Sequence, residues 1–387
     1  MPEKRTIVLI QEVPSVRIAK IGKGLIRAGD FNIVICYLKT VSQYPTEKVF
    51  TQKFCYDFIP WISGLPFETI KGVIHNRLDL FDRERLLKYI RNLKNLYLVH
   101  AISPPPKLCR WVIESEVCTT VFDQYDLLAQ SYGKDRVRSK DLKDELFCIE
   151  NADGMVHKGP AEELEFYYKE FRVSPASDFT FPDPCDEDLF VPPAKKISSI
   201  SKEVHFVYVG GISRDAGYDL IKVGEMLSRQ GIHLHIYPAP NTSPSVLKEY
   251  LKHQKENTML HLHAPVAYLD LPSEISKYHF GIYLFPPSDD ENFMRKMRTA
   301  SGNKIPSYWE AGLPVIIAKD LEYSANIVKE YDGGFVIKIE ELENIRELIG
   351  QIDYEEMSKK VFSARERFSL SKKILELISF YEKLGSI

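Results

Sequence analysis

Two hydrophobic periods alternate along this chain. Short apolar, β-branched runs of four to seven residues are each followed by a longer stretch in which apolar residues return every three or four positions. The first pattern reads as a buried strand and the second as an amphipathic helix. In the first half, strands are predicted at 6–11, 32–38, 72–75, 95–101, 119–123 and 154–157, and helices at 15–28, 82–92, 105–115, 139–151 and 160–171, with Gly29 closing the first helix. A proline- and acid-rich stretch, 175–193, interrupts the alternation and reads as a linker. In the second half, strands are predicted at 205–209, 233–237, 259–263, 280–285, 314–318 and 335–337. Helices fall at 218–229, 245–253, 272–277, 304–310, 321–330 and 342–349, followed by helices at 354–368 and 372–384. Strands spaced by helices predict an α/β architecture: two Rossmann-like, doubly wound parallel sheets, with ligands outside the carboxyl ends of the strands. The expected boundaries are an N-terminal domain over 1–180, a linker over 181–203, a second domain over 204–353, and C-terminal helices over 354–387 that return towards the first domain.

Composition narrows the classes. The chain of 387 residues is 44% hydrophobic and 27% charged, with a net charge of −3. That balance is soluble and globular, and it gives no bulk electrostatic grip on nucleic acid. The six cysteines form no C-x-x-C pair and read as reduced, mostly buried thiols. No apolar run reaches membrane-spanning length, and the N-terminal residues lack a signal-peptide pattern. The expected location is cytoplasmic.

The segment Ser301-Gly-Asn-Lys-Ile-Pro-Ser-Tyr-Trp-Glu-Ala-Gly-Leu-Pro-Val-Ile carries the clearest chemistry. Lys304 opens a helix, where free N–H groups and the helix dipole favour an anion. Asn303 precedes it, and Tyr308 shares its face one turn later. Gly210 and Gly211 follow a strand and allow close approach of a phosphate to the backbone. The plainer readings are a solvated lysine, a packed tyrosine and an ordinary turn.

Four segments, in order, resemble the GT-B glycosyltransferases. Asn151-Ala-Asp-Gly-Met-Val-His is similar to a strand of their acceptor domain, and Phe181-Pro-Asp-Pro-Cys-Asp-Glu-Asp-Leu-Phe to their linker. His205-Phe-Val-Tyr-Val-Gly-Gly is similar to the first strand and loop of the donor domain, and 280–318 to the donor-site pattern that ends in Gly-Leu-Pro-Val-Ile. The resemblance is to family-4-like and bacterial exopolysaccharide enzymes. It implies two domains around a cleft and a nucleotide-diphosphate sugar held by the second domain. The acceptor is then a glycan, lipid-linked or small-molecule hydroxyl, and no metal or other cofactor is needed.

The resemblance also implies roles. Gly210, Gly211, Arg214, Asn303 and Lys304 fall where the diphosphate is held. Ala264, Val266 and Tyr268 fall in the loop that clasps the base, and Tyr268 is alternatively a packed anchor. Glu291, in the acidic run 289–291, is placed to meet sugar hydroxyls, or is simply solvated. The motif departs from its relatives. Gly211 and Ala216 stand where Arg and Lys are common, and Ser307 stands where a ribose-binding glutamate is common. For the general base, Asp126 follows a strand and is the first candidate, with an N-cap role as its competitor. His75 and His100, each read as ending a strand, are the rivals. Arg17, Lys20, Lys23 and Arg27 lie along one side of the first helix, as either a solvated face or a peripheral membrane contact at the inner face of the membrane. The functional expectation is a glycosyltransferase. Its alternative is an inactive module of the same fold that binds a nucleotide sugar or a partner; an epimerase would need clustered carboxylates and histidines at spacings not found here.

Overall fold

A computed structural model describes residues 3–38, 49–56, 68–213, 219–285 and 288–385, the side chains of 68–78 excepted. The chain divides into two compact units, Met1–Pro182 with Lys373–Ile387, and Asp183–Lys372.

Among its described residues, the first unit is built on seven parallel strands: β1 (Arg5–Ile10), β2 (Phe31–Tyr37), β3 (Gln52–Cys55), β4 (Leu96–Ser103), β5 (Thr119–Gln124), β6 (Gly154–His157) and β7 (Asp178–Thr180). They lie in the order β3-β2-β1-β4-β5-β6-β7. The order reverses between β1 and β4, which pair directly. β1 is buried along all but its first residue, as expected of a strand covered on both faces. Helices α1 (Val16–Ala28), α2 (Glu68–Arg91), α3 (Lys107–Ile113), α4 (Leu128–Tyr132), α5 (Ser139–Asn151) and α6 (Glu162–Phe171) connect the strands. Gly29 closes α1 at φ 83°, a left-handed conformation that glycine adopts without steric cost.

Two sequence expectations fail in this unit. Residues 72–75 form no strand but lie inside α2. A run as short as Gly72-Val-Ile-His75 is compatible with either element, and only length arbitrates between them. The edge strands β3 and β7 were unforeseen because they are only four and three residues long and hold no run of apolar residues; short edges of this kind resist pairing with other chains.

The second unit has six parallel strands: β8 (Val204–Gly210), β9 (Ile232–Pro238), β10 (Leu260–Leu262), β11 (Phe280–Tyr283), β12 (Val315–Ala318) and β13 (Gly334–Ile337), in the order β10-β9-β8-β11-β12-β13. Its switch point lies between β8 and β11. The helices are α7 (Leu220–Ser228), α8 (Pro244–Glu256), α9 (Leu271–Ile275), α10 (Glu291–Thr299), α11 (Lys304–Glu310), α12 (Glu322–Tyr331), α13 (Ile345–Gly350), α14 (Tyr354–Arg367) and the start of α15 (Leu370–Leu384).

Residues expected to be linker are folded onto this unit. Cys185 pairs with the backbone at both Phe368 and Leu370. Asp186 N–H donates to Glu310 Oε1 at 2.8 Å, and Val191 N–H to the Glu310 carbonyl. Glu310 is therefore a buried structural carboxylate. Of the C-terminal helices, α14 packs on the second unit, with Arg365 donating to the Val191 carbonyl. The rest of α15 belongs to the first, where Tyr97 donates to the Tyr381 carbonyl at 2.8 Å.

Candidate functional site

At the switch point of the second unit, β8 ends in Gly210 at φ 121°. A Cβ built there would lie 3.3 Å from both Cε and Nζ of Lys304. The lysine ammonium thus rests against the backbone at the end of β8. Three aromatic rings surround it: Tyr208 at 5.1 Å, Tyr283 at 5.0 Å and Phe285 at 5.6 Å. Rings at this distance attract a cation through their quadrupoles and fix its position without neutralising its charge. Among the described residues, a Cβ on Gly211 would meet nothing within 4 Å. Tyr208 pins the loop after β8 by donating to the Gly211 carbonyl at 2.7 Å.

The segment leading to Lys304 is equally fixed. Ser324, buried on α12, donates to the Ala300 carbonyl at 2.6 Å and accepts from Gly302 N–H at 3.4 Å. Gly302 is required because a Cβ there would lie 2.3 Å from the Tyr283 hydroxyl. Lys304 is half-buried, with its stem covered.

The other donor-side candidates divide. Tyr308 is fully buried. Its hydroxyl accepts from Val209 N–H at 3.2 Å and donates to the Ile282 carbonyl at 2.8 Å. It ties β8 to β11, and packing takes precedence over the phosphate contact expected of it. Burial pushes its pKa upward. Ser307 is also turned inward, donating to the Asn303 carbonyl at 3.1 Å. Asn303 itself makes no side-chain cap. Ala264 is exposed and Val266 half-buried in the loop after β10, while the Tyr268 hydroxyl is buried. Glu291 is exposed in the first turn of α10, a helix the sequence did not reveal. Asp290 caps that helix by accepting from Asn292 and Phe293 N–H, so the acidic run is a helix start. Arg214 lies outside the described residues.

In the first unit, His100 sits in the interior of β4, not at its end, and is completely buried. Its Nε2 lies 2.8 Å from Asp123 Oδ2 and its Nδ1 2.6 Å from the Tyr381 hydroxyl. Asp123 in turn accepts two bonds from Arg17 Nε, at 2.9 and 2.8 Å. Burial raises the Asp123 pKa, but the Arg17 charge and the His100 bond outweigh it and hold the carboxyl below its usual value. Burial, with the Asp123 charge, keeps Tyr381 protonated. The expectation that His100 serves as a base fails because both ring nitrogens are committed inside the core.

This network also corrects the reading of α1. Arg17 and Lys20 are buried, so the four cations do not form one solvated or membrane-facing side. His75 lies in α2, and its side chain is outside the described residues. Asp126 is half-buried just beyond β5. It does not cap α4. Glu145 from α5 does so instead, accepting from Leu128 N–H at 2.7 Å and Ala129 N–H at 3.3 Å. Gln124 Nε2 bridges Glu145 and the Asp126 carbonyl. Burial raises Glu145 to about 7, against the hydrogen bonds from Tyr167 and the backbone. Sequence reasoning missed the rings around Lys304. Their available signal was an aromatic residue near the end of each of the two strands that meet at the switch point.

Two parallel α/β units, each with a switch point between its first and fourth strands, define a GT-B fold. Solved structures agree. Sucrose-phosphate synthase from Thermosynechococcus elongatus superposes with a TM-score of 0.68 at 15% identity, covering 99% of this chain and 100% of that one. HepE from Anabaena, solved in complex with UDP-glucose, gives 0.65 at 13%, covering 97% and 99%. TarM gives 0.65 at 9%, covering 98% and 99%. Residues 229–371 match the family described as Glucosyltransferase 3-like, C-terminal domain. The fold is that of the GT-B glycosyltransferases, and the matched stretch includes Lys304. No curated protein matches this chain significantly.

Proposed function

We propose that this protein is a glycosyltransferase that takes its sugar from a nucleoside-diphosphate donor held by the second unit. The carrying observation is the Lys304 ammonium against Gly210 at the β8/β11 switch point. A diphosphate there meets a positioned cation and glycine backbone. Charge on the departing diphosphate is then stabilised by groups that need no rearrangement, which is where such catalysis gains most. HepE, with the same fold, was solved with UDP-glucose, which makes a UDP-sugar the first donor to test. The loop containing Ala264, Val266 and Tyr268 is assigned to the base, and Glu291 to the sugar side. Asp126 is assigned the proton of the acceptor hydroxyl, and the acceptor is a glycan or lipid-linked alcohol. Neither α1 nor its cations enters this proposal as a membrane contact, and no metal is assigned to the transfer step.

The test is titration with UDP-, GDP- and dTDP-sugars, followed by an assay of donor hydrolysis and transfer. Saturable binding that Gly210→Ala abolishes is expected, because the added methyl displaces Lys304 and strains a backbone at φ 121°. Absence of binding to every nucleotide sugar sinks the reading. A second reading, a binding module without turnover, draws on Ser307, whose hydroxyl is spent on its own helix where relatives carry a glutamate. Donor binding without hydrolysis or transfer would favour it.

A further inference from the structure

Six of the ten histidines cluster on the second unit. His205 on β8 stands in register with His233 on β9, and His235 with His261 on β10. Side chains two apart on a strand share a face, so His233 and His235 point the same way. The rings form a ladder. His205 and His233 stack at 4.5 Å and 13°, and His235 and His261 at 4.4 Å and 13°. Hydrogen bonds run along it: His205 Nδ1 to His235 Nε2 at 2.9 Å, His235 Nδ1 to His263 Nε2 at 3.0 Å, and His233 Nδ1 to His261 Nε2 at 3.0 Å. His279 joins from the side, its Nδ1 accepting from His205 N–H at 3.0 Å.

The ladder has one open end. His205 is 5% exposed, yet its Nε2 is buried with no hydrogen-bond partner among the described residues. Glu203 Oε2 lies 3.5 Å from that nitrogen. One ligand atom each from Glu203, His205 and His233 falls within 4.8 Å of the others. Ladder bonds occupy Nδ1 of both histidines, which leaves Nε2 of each for a ligand.

We propose that Glu203, His205 and His233 form a binding site for a divalent metal ion of the zinc type, at the amino-terminal ends of β8 and β9. Two imidazoles and a carboxylate are a known zinc donor set, with water completing a tetrahedron. Ligand atoms around such an ion sit roughly 3.3–3.5 Å apart, so closure takes a small side-chain shift, and Glu203 is exposed and able to make it. Metal-bound histidines usually donate their other N–H to a fixed acceptor. With a cation on Nε2 of His205 and of His233, His205 would donate from Nδ1 to His235, which would donate in turn to His263, and His233 would donate to His261. A cation at the open end sets that direction of protons along the ladder. The site lies at the opposite ends of the strands from Gly210 and does not rest on the donor assignment.

The test uses metal-free, full-length protein titrated with Zn²⁺ by calorimetry, and Co²⁺ loading read by its absorption spectrum. One equivalent per chain is expected, with a four-coordinate cobalt spectrum. Glu203→Gln and His233→Asn change exposed or half-buried groups, and each is expected to weaken Zn²⁺ binding at least ~10-fold while circular dichroism of the unloaded variants stays that of the parent. His261→Gln, which touches only the ladder, is expected to weaken it less. No stoichiometric Zn²⁺ binding overturns the site. So does binding that both ligand variants leave intact, as uptake by the cysteines would be.

Discussion

The two switch points hold cations of opposite fate. In the first unit, Arg17 follows β1 and is sealed, its charge answered by Asp123 and the Phe181 carbonyl. In the second, Lys304 lies against the end of β8, half-buried, with the rings of Tyr208, Tyr283 and Phe285 around its ammonium. Sequence position alone does not distinguish them, since each cation lies in the opening turn of a helix. What separates a structural cation from a candidate ligand cation here is burial: Arg17 is sealed in the core, and Lys304 is half-buried at the end of β8. The rings around Lys304 attract its ammonium through their quadrupoles and hold it in place.

The sharpest way to break this comparison is to remove the internal counter-charge. Asp123→Ala strands a buried guanidinium, and the expected loss is about 3–5 kcal/mol of stability, read by denaturant unfolding. UDP-sugar affinity, measured under conditions where the variant is folded, should not change; a large change there would erase the distinction. Lys304→Ala is the converse. Losing one charge-assisted contact costs about 1.5–3 kcal/mol, so the dissociation constant for a UDP-sugar should rise roughly 10- to 100-fold with little loss of stability. Lys304→Arg should recover only part of it, because a planar fork replaces a point charge.

Tyr308→Phe tests which side of the comparison that residue belongs to. Two buried backbone groups lose a partner, so about 1–3 kcal/mol of stability is expected to go, and donor affinity should hold. Loss of affinity without loss of stability would return Tyr308 to the ligand.

The smallest expected effect is on pH dependence, resolved by region with hydrogen exchange. His235 falls from 6.5 to about 2 on folding, by burial and then by its neighbours His261, His263, His205 and His233. The unfolded chain therefore binds more protons below pH 6.5, and the second unit should lose stability steadily as pH falls from there towards 2. Asp123 is lowered from 3.8, so its contribution to the first unit is whole above about pH 4 and is lost only as pH falls through its folded value. The second unit should therefore loosen first on acidification. Simultaneous loosening of both near pH 4 would contradict the assigned shifts.

The elements were legible where hydrophobic period and punctuation agreed. Residues 139–151 and 304–310 were read to the residue, and β6 likewise. Reading failed where the pattern carried no period: the short edges β3 and β7, the run 72–75 inside α2, and α10, whose acidic start resembles a loop. At the site, Lys304 and Gly210 were legible because a glycine at a strand end and a cation at a helix start each have a local physical meaning. The aromatic cage and the histidine ladder were not, because their members are distant in the chain and each alone is an unremarked strand residue.

The sequence by itself determined the two-unit α/β plan, since strand and helix periods are local properties, and it singled out the Lys304 segment. Tertiary structure alone decided which polar groups are spent. It closed His100 between Asp123 and Tyr381, turned Tyr308 and Ser307 inward, and buried Arg17 and Lys20. It also aligned histidines from three strands into one ladder. Pairing and burial depend on what a side chain meets across the fold, and a one-dimensional pattern holds no record of that.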